Sequence, residues 1–345
     1  SEDGRYVAFK SLASNLVPND RNGFVDVFVR DRVAHTTERI SVSSLEAQGD
    51  WTSVVSFSSN PISADGRYVA FVSLADNLVP GDTNNDSDIF VRDRLSGTTE
   101  VVSLSSLGAL GDNGCDWPTI SADGRYVAFV SLASNLVPMD TNIRIDVFVR
   151  DRLSGTTERV SVDSNGGQSN FDCYSAAISA DGRYVAFDSG ANNLVPGDTN
   201  HDWDVFVHDR QTGTTERSSV DSAGVQGNGM SQVSSISADG RYVAFESDAT
   251  NLAPGDTNAV FDIYVRDRAY SPMASLCDPG AGGVIACPCS NPPGGPGRGC
   301  DNSAATGGAS LAASGGAYLF SDGLVFTTSG ERATGDPAAE AAVAG

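Results

Sequence analysis

A chain of 345 residues with 40% hydrophobic content is long enough to bury a large core, in one extended β domain or two ordinary domains. Its 44 acidic residues against 22 basic ones leave a formal charge of -22, which argues against nucleic-acid binding, because gripping phosphates needs clustered Lys and Arg, and fits a role involving cations better. No run of about 18 apolar residues occurs, so no membrane-spanning helix is predicted.

The chain opens on Ser1-Glu2-Asp3-Gly4-Arg5, already inside a repeat and with no signal peptide, as expected of a processed or truncated product. "DGRYVAF" begins at Asp3, Asp65, Asp123, Asp181 and Asp239, at spacings of 62, 58, 58 and 58 residues. Such a period predicts copies of one supersecondary unit, stacked or arranged around an axis. In the second copy Asp65-Gly66 is a turn signal, and "RYVAFVS" (67–73) is a short aromatic and β-branched strand. The loop "LADNLVPGDTNN" leads to a second strand, "DIFVRDR" (88–94), and the turn "LSGT" to a third, "TEVVSLS" (99–105). A fourth, weaker strand around "WPTIS" (117–121) precedes the next Asp-Gly. Four strands per unit, punctuated by Gly, Pro, Asn and Asp and without a 3.6-residue period, predict the blade of a β-propeller. The first copy lacks its leading strand and the fifth stops after "DIYVRDR" (262–268), which predicts blades of three, four, four, four and three strands. Open blade edges are pairing hazards, so closing a ring would take strands from upstream sequence, from the C-terminal stretch or from a neighbouring subunit.

The paired motifs S-A-D-G-R-Y-V-A-F and D-[VI]-[FY]-V-R-D-R resemble the TolB-type, WD40-like (PD40) propeller repeats of secreted and periplasmic bacterial proteins, over residues 1–270. The resemblance implies an all-β propeller of at least five four-stranded blades that serves as a binding or scaffold module.

All five copies carry Asp-x-Asn-x-x-x-Asp ahead of the second strand: Asp20, Asn22 and Asp26; Asp82, Asn84 and Asp88; Asp140, Asn142 and Asp146; Asp198, Asn200 and Asp204; Asp256, Asn258 and Asp262. The fifth position varies as Phe24, Asp86, Arg144, Asp202 and Val260. Oxygen donors at alternate positions of a tight loop are the calcium pattern, strengthened in the second and fourth copies by Asp86 and Asp202 and weakened in the third by Arg144. The other reading is metal-free: Asp and Asn pin turns through their own side chains. The repeated Asp31, Asp93, Asp151, Asp209 and Asp267 of V-R-D-R are expected to lock blades through Arg or Thr, and the Tyr, Val, Ala and Phe of RYVAF to form core.

Cys115 and Cys173 occupy equivalent places in adjacent units, which predicts a disulfide if their Cα atoms come within about 7 Å. Cys277, Cys287, Cys289 and Cys300 crowd a Pro- and Gly-rich stretch (271–303); two disulfides, and with them an oxidising compartment, are favoured over zinc, because the central pair is C-x-C. This segment resembles Cys-Pro-Cys modules that end secreted proteins of planctomycete-like bacteria. Residues 304–345 follow, with an expected hairpin over 316–330 turning at Asp322-Gly323, then an Ala-rich tail.

No H-E-x-x-H, G-x-S-x-G or phosphate loop occurs, and His35, His201 and His208 each replace a different residue in other copies. Every prominent Asp recurs with the repeat, while the asymmetric Asp116, Trp117, His201 and Trp203 form no recognisable constellation. The sequence reading is thus a secreted, periplasmic or cell-surface propeller, calcium-stabilised, binding a protein or polysaccharide. A polysaccharide hydrolase or lyase and a self-assembling filament joined through its end blades are the alternatives.

Overall fold

The computed structural model describes residues 1–55, 60–258 and 260–269, without the side chains of 233 and 234, and the backbone alone of 310–314 and 325–329. Two compact units divide at the boundary between Ala269 and Tyr270. Among the described residues there is no helix, and none is long and apolar enough to cross a membrane.

The first unit is a run of antiparallel meander sheets, the blades of a β-propeller. Blade 1 holds β1 (Tyr6–Ser11), β2 (Asp26–Asp31) and β3 (Thr36–Arg39). Blade 2 adds the short β4 (Ser53–Val54) before β5 (Tyr68–Ser73), β6 (Asp88–Asp93) and β7 (Thr98–Val101). Blade 3 comprises β8 (Cys115–Ile120), β9 (Tyr126–Ser131), β10 (Asp146–Asp151) and β11 (Thr156–Arg159). In blade 4 the strands are β12 (Cys173–Ile178), β13 (Tyr184–Ser189), β14 (Asp204–Asp209) and β15 (Thr214–Arg217), and blade 5 has β16 (Ser231–Ile236), β17 (Tyr242–Ser247) and β18 (Asp262–Asp267). The expected count of three, four, four, four and three strands is what forms. The leading strand of blade 3 starts two residues earlier than "WPTIS" and carries a bulge between Asp116 and Thr119.

The repeat motif explains the packing. In blade 2 every residue of β5 after Tyr68 and every residue of β6 is buried, because both faces of the sheet are covered. The two RYVAF and D-[VI]-F phenylalanines face each other across the ladder, Phe71 on Phe90 at 5.7 Å and Phe129 on Phe148 at 5.9 Å between ring centroids, pairs worth about 0.5–1.5 kcal/mol beyond area burial. Leading strands pack on the blade before: β8 on β5 and β6, β12 on β8, β9 and β10, β16 on β12, β13 and β14.

Blades are stitched together by polar repeats. A backbone ladder runs from blade to blade through the Ser-Ala-Asp-Gly turns, with Ala64 N–H donating to Ala122 O, Ala122 N–H to Ala180 O and Ala180 N–H to Ala238 O, each at 2.9 Å. In blades 2 to 5 the arginine that ends the motif (Arg94, Arg152, Arg210, Arg268) crosses to the preceding blade: Arg152 pairs with Glu100 at 2.6 Å and lies 4.4 Å above the Tyr68 ring. Gly124, at φ +74, lies on that same ring, where a Cβ would meet Tyr68 carbon at 2.1 Å. Turn conformation and close approach both demand glycine there. Within each blade the arginine of D-G-R-Y forks onto the V-R-D-R aspartate, as in Arg125–Asp151 and Arg183–Asp209 at 2.7 Å, and the same carboxylates accept N–H groups of the next turn. Arg125 holds the Asp151 carboxyl well below the usual carboxylate range. These aspartates therefore lock blades, as expected of them, with arginine as the partner.

One expectation is corrected. Cys115 and Cys173 are separate buried free thiols. Each is held within its own blade, Cys115 Sγ 3.3 Å from Ser131 Oγ and Cys173 Sγ 3.3 Å from Ser189 Oγ, on the cross-strand partners the ladder assigns them. Burial pushes both thiols up to about 12. In the second unit β19 (Ser310–Ser314) pairs with β20 (Val325–Ser329), and residues 316–324 and 330 of the expected hairpin, with its turn at Asp322-Gly323, lie outside the described residues. Cys277, Cys287, Cys289 and Cys300 lie outside the described residues.

Candidate functional site

The five oxygen-rich loops share one local geometry. Asn22, Asn84, Asn142, Asn200 and Asn258 each accept, through Oδ1, the N–H two residues on (3.1–3.2 Å), and donate through Nδ2 to the last aspartate of the motif (2.9–3.2 Å). The fourth position turns left-handed: Gly23 at φ +72, Asn85 at +56, Ile143 at +54 and His201 at +61. The final aspartates Asp26, Asp88 and Asp146, all at 0% exposure, accept Oγ–H from Ser41, Ser103 and Ser161 at 2.5 Å, and Asp204 accepts from Ser219. The loops are thus pinned by their own side chains in every copy, the metal-free arrangement open at the sequence level.

What neutralises the carboxylates differs from copy to copy. In blades 1, 3 and 4 one guanidinium nitrogen sits between the first and last aspartates. Arg39 Nη1 is 3.2 Å from Asp20 and 3.5 Å from Asp26. Arg159 Nη1 is 3.0 Å from Asp140 and 3.3 Å from Asp146. Arg217 Nη1 is 3.4 Å from Asp198 and 3.0 Å from Asp204. These arginines end the T-T-E-R strand, 13 residues after the last aspartate. A glutamine adds amide groups: Gln48 Oε1 accepts from Asn22 N–H, Gln168 Oε1 accepts from Arg159, and Gln226 Nε2 donates to Asp198 and Asp204. In blade 5 the Tyr264 hydroxyl, where other blades have Phe, donates to Asp256 at 2.6 Å, and burial with that bond pushes the phenol up to about 12.

Blade 2 has none of these. Its motif reads T-T-E-V, placing Val101 where the arginine stands, and Leu110 replaces the glutamine, as the equivalent bridges Leu104↔Leu110 and Val162↔Gln168 establish. Asp82 is 8% exposed and its Oδ1 is buried without a hydrogen-bond partner. Burial, then the charges of Asp88, Asp76 and Asp50, push its carboxyl up to about 6. Asp88 is likewise raised, by burial and by Asp86 and Asp76. Burial also raises Asp20, Asp140, Asp146 and Asp198, but there an arginine pulls the other way. Asp198 Oδ2 is also without a partner, yet its other oxygen has Arg217 and Gln226. Among the described residues no group of three or more His, Cys, Asp or Glu closes around a single point. The sequence reading missed Arg39, Arg159, Arg217 and Tyr264; aligning the ends of T-T-E-R and T-T-E-V, and Tyr264 with Phe206, was the available signal.

A second asymmetric feature joins residues that the sequence left scattered. Trp117 on β8 meets Tyr174 on β12 edge-on at 5.2 Å, Tyr174 stacks on Trp203 at 5.4 Å, and Phe171 meets Trp203 edge-on at 5.9 Å. Arg144 lies 5.2 Å over Phe171. Trp117 and Ser175 hold left-handed φ of +50 and +55 at the bulges of their strands, where one extra residue re-aims a side chain. All four rings are partly exposed, beside Asp116 and Asp172. The blade 2 equivalents of Tyr174, Trp117 and Trp203 are small or aliphatic (Val54, Val55, Ser87), whereas Phe171 is matched there by Trp51, which stacks on Phe24 at 5.2 Å. His201 is not among these rings' partners and occupies a loop tip, while His208 is buried against Thr215 with its imidazole pushed down by burial.

No family model and no curated protein matches this sequence. Among solved structures the chain is similar to TolB from Acinetobacter baumannii, at 19% identity and TM-score 0.42, over 77% of this chain and 51% of that one. It is also similar to the β-propeller domain of the Trilobed protease from Pyrococcus furiosus (12%, TM-score 0.44, 76% and 66%) and to Pyrococcus horikoshii acylaminoacyl peptidase (14%, TM-score 0.42, 76% and 37%). The chain spans about half the length of the TolB chain. At such identities and scores these likenesses say nothing about activity.

Proposed function

We propose that the protein is a propeller binding module of the secreted, periplasmic or cell-surface type whose ligand is a polysaccharide, taken on the ledge of Trp117, Tyr174, Trp203 and Phe171. The ledge carries this reading. Its four partly exposed rings come from two adjacent blades, three of them, Trp117, Tyr174 and Trp203, are aromatic where blade 2 is not, and residues that break a repeat are not needed by it. Flat amphipathic rings flanked by Asp116 and Asp172 offer an apolar face and polar edges together, as a sugar ring does. A hydrolase or lyase acting on the same ligand is less well supported, because the raised carboxylates of known cause belong to the repeat loops and not to the ledge. The test is affinity electrophoresis against a panel of acidic and neutral bacterial polysaccharides: the wild-type chain is retarded by at least one, Trp203→Ala and Tyr174→Ala lose the retardation, and no reducing ends appear on prolonged incubation. A chain retarded by none, or equally retarded after both substitutions, ends the proposal.

A second reading, self-association, is favoured by one observation. On β18 Ile263 is 70% and Val265 58% exposed, where the equivalent Ile89 and Val91 are at 0% and 1% beneath the following blade. A sheet face of this kind suits another blade, and light scattering across a hundredfold concentration range tests it: a constant monomer mass removes it. The calcium part of the function narrows to the loop of blade 2.

A further inference from the structure

We infer that the loop of blade 2 is a single-ion calcium site, held by Asp82 and Asp88 in the place that an arginine guanidinium takes in blades 1, 3 and 4.

Three of the five loops define where positive charge belongs in this fold. The same nitrogen, Nη1, reaches both the first and the last carboxylate of the motif in each of them, at 3.0–3.5 Å. Blade 2 keeps both carboxylates, keeps the asparagine bracket between them, and keeps the serine that fixes the last one. It has lost to Val101 the arginine that bridges the pair in the other three, and to Leu110 the glutamine that donates to the pair in blade 4 and holds Arg159 in blade 3. It has also gained a negative charge: Asp76 stands where the other copies have Ser14, Ser134, Asn192 and Thr250, while Asp86, at a position that is Phe24, Arg144 and Val260 in three copies, is matched by Asp202 in blade 4.

A pair of carboxylates out of water without a counter-charge is costly, and the cost is relieved by a proton on one of them or by an ion that completes the pair. The unpartnered Oδ1 of Asp82, more than nine-tenths buried, marks the point at which that completion is missing from the protein's own atoms. A hydrophobic substitution of the arginine alone would be a defect. Loss of the arginine and the glutamine together with the gain of Asp76 is a consistent exchange of a protein cation for an external one. The donor set is carboxylate and amide oxygen, which selects a hard cation, and the flexible coordination of Ca²⁺ suits a loop whose asparagine is already engaged better than the octahedral demand of Mg²⁺ does.

The ion site belongs to the calcium part of the proposed function and stands apart from the aromatic ledge, so its failure leaves the polysaccharide reading standing and the reverse. Titrating Ca²⁺ into the chelator-treated full chain by calorimetry is expected to show one ion per chain, with a melting midpoint that rises with calcium concentration as ligand binding to the native state requires. Asp82→Asn is expected to weaken binding at least tenfold and Val101→Arg to abolish it, the latter giving a midpoint that no longer responds to calcium. Should Val101→Arg not fold, as judged by circular dichroism, the near-isosteric Asp82→Asn decides alone. Wild-type chain that binds no calcium overturns the proposal. So do variants that bind as the wild type does, a stoichiometry near five, and Mg²⁺ bound as tightly as Ca²⁺.

Discussion

Blades 2 and 3 are built on one plan, and the loops that lead into their second strands differ in one decisive respect. In blade 3 Asp140 and Asp146 are joined by Arg159, itself oriented by Gln168, and the charges cancel within the protein. In blade 2 Val101 and Leu110 stand in those positions and Asp82 is left with an unpartnered buried oxygen. The difference teaches that the recurring aspartates are first a device of architecture. Their backbone turn, asparagine bracket and serine contact persist whether or not anything neutralises them, so presence of the motif does not by itself indicate a metal, and the calcium proposal rests on the missing counter-charge of blade 2.

The comparison can be broken from either side. Arg159→Val should make blade 3 resemble blade 2, leaving two buried carboxylates uncompensated at a cost of about 3–5 kcal/mol in chemical denaturation without divalent ions. Adding Gln168→Leu should bring partial recovery by millimolar calcium, and a double variant indifferent to calcium would show that the loop geometry alone does not suffice. Gly124→Ala strikes the scaffold common to both blades, where the added Cβ meets the Tyr68 ring. A loss of about 3 kcal/mol is expected, against about 1 kcal/mol for Gly166→Ala, which has a similar φ and nothing within 4 Å.

Replacing the first aspartate should have opposite signs in the two loops. Asp140→Asn removes a partner of buried Arg159 and should destabilise by about 1–3 kcal/mol, whereas Asp82→Asn in chelator relieves an uncompensated charge and should stabilise by about 1 kcal/mol. Equal signs in urea melts would contradict the contrast drawn between the blades. Acid should act on both blades alike through Arg67–Asp93 and Arg125–Asp151. These aspartates titrate far below their unfolded range, so their contribution is complete above about pH 4 and is lost progressively as pH falls through the folded values. A midpoint that does not fall between pH 4 and pH 2 would count against them. The smallest effect concerns the turn: Ile143 is β-branched at φ +54 where blade 2 has Asn85, and Ile143→Asn should gain about 0.5–1 kcal/mol.

The strands, their number in each blade and the turns between them were legible from the sequence, because DGRYVAF and D-[VI]-[FY]-V-R-D-R are local patterns whose period repeats. The glycine and aspartate of each motif were legible as turn and lock for the same reason. Pairing of Cys115 with Cys173 was not decided by their equivalent positions, since each thiol turns to the serine opposite it in its own sheet. Equivalence in a repeat sets a residue's neighbours within its blade, not a bond between blades.

The sequence by itself determined which segments become blades and which residues face their cores, since alternation and turn chemistry act over a few residues. Only the tertiary structure decided what stands between the loop aspartates and which aromatics meet. Arg159 reaches Asp146 across a folded-back strand pair, and Trp117, Tyr174 and Trp203 come from two blades and the loop between their strands. Contacts of that kind depend on where separate strands are brought together, and no local pattern records it.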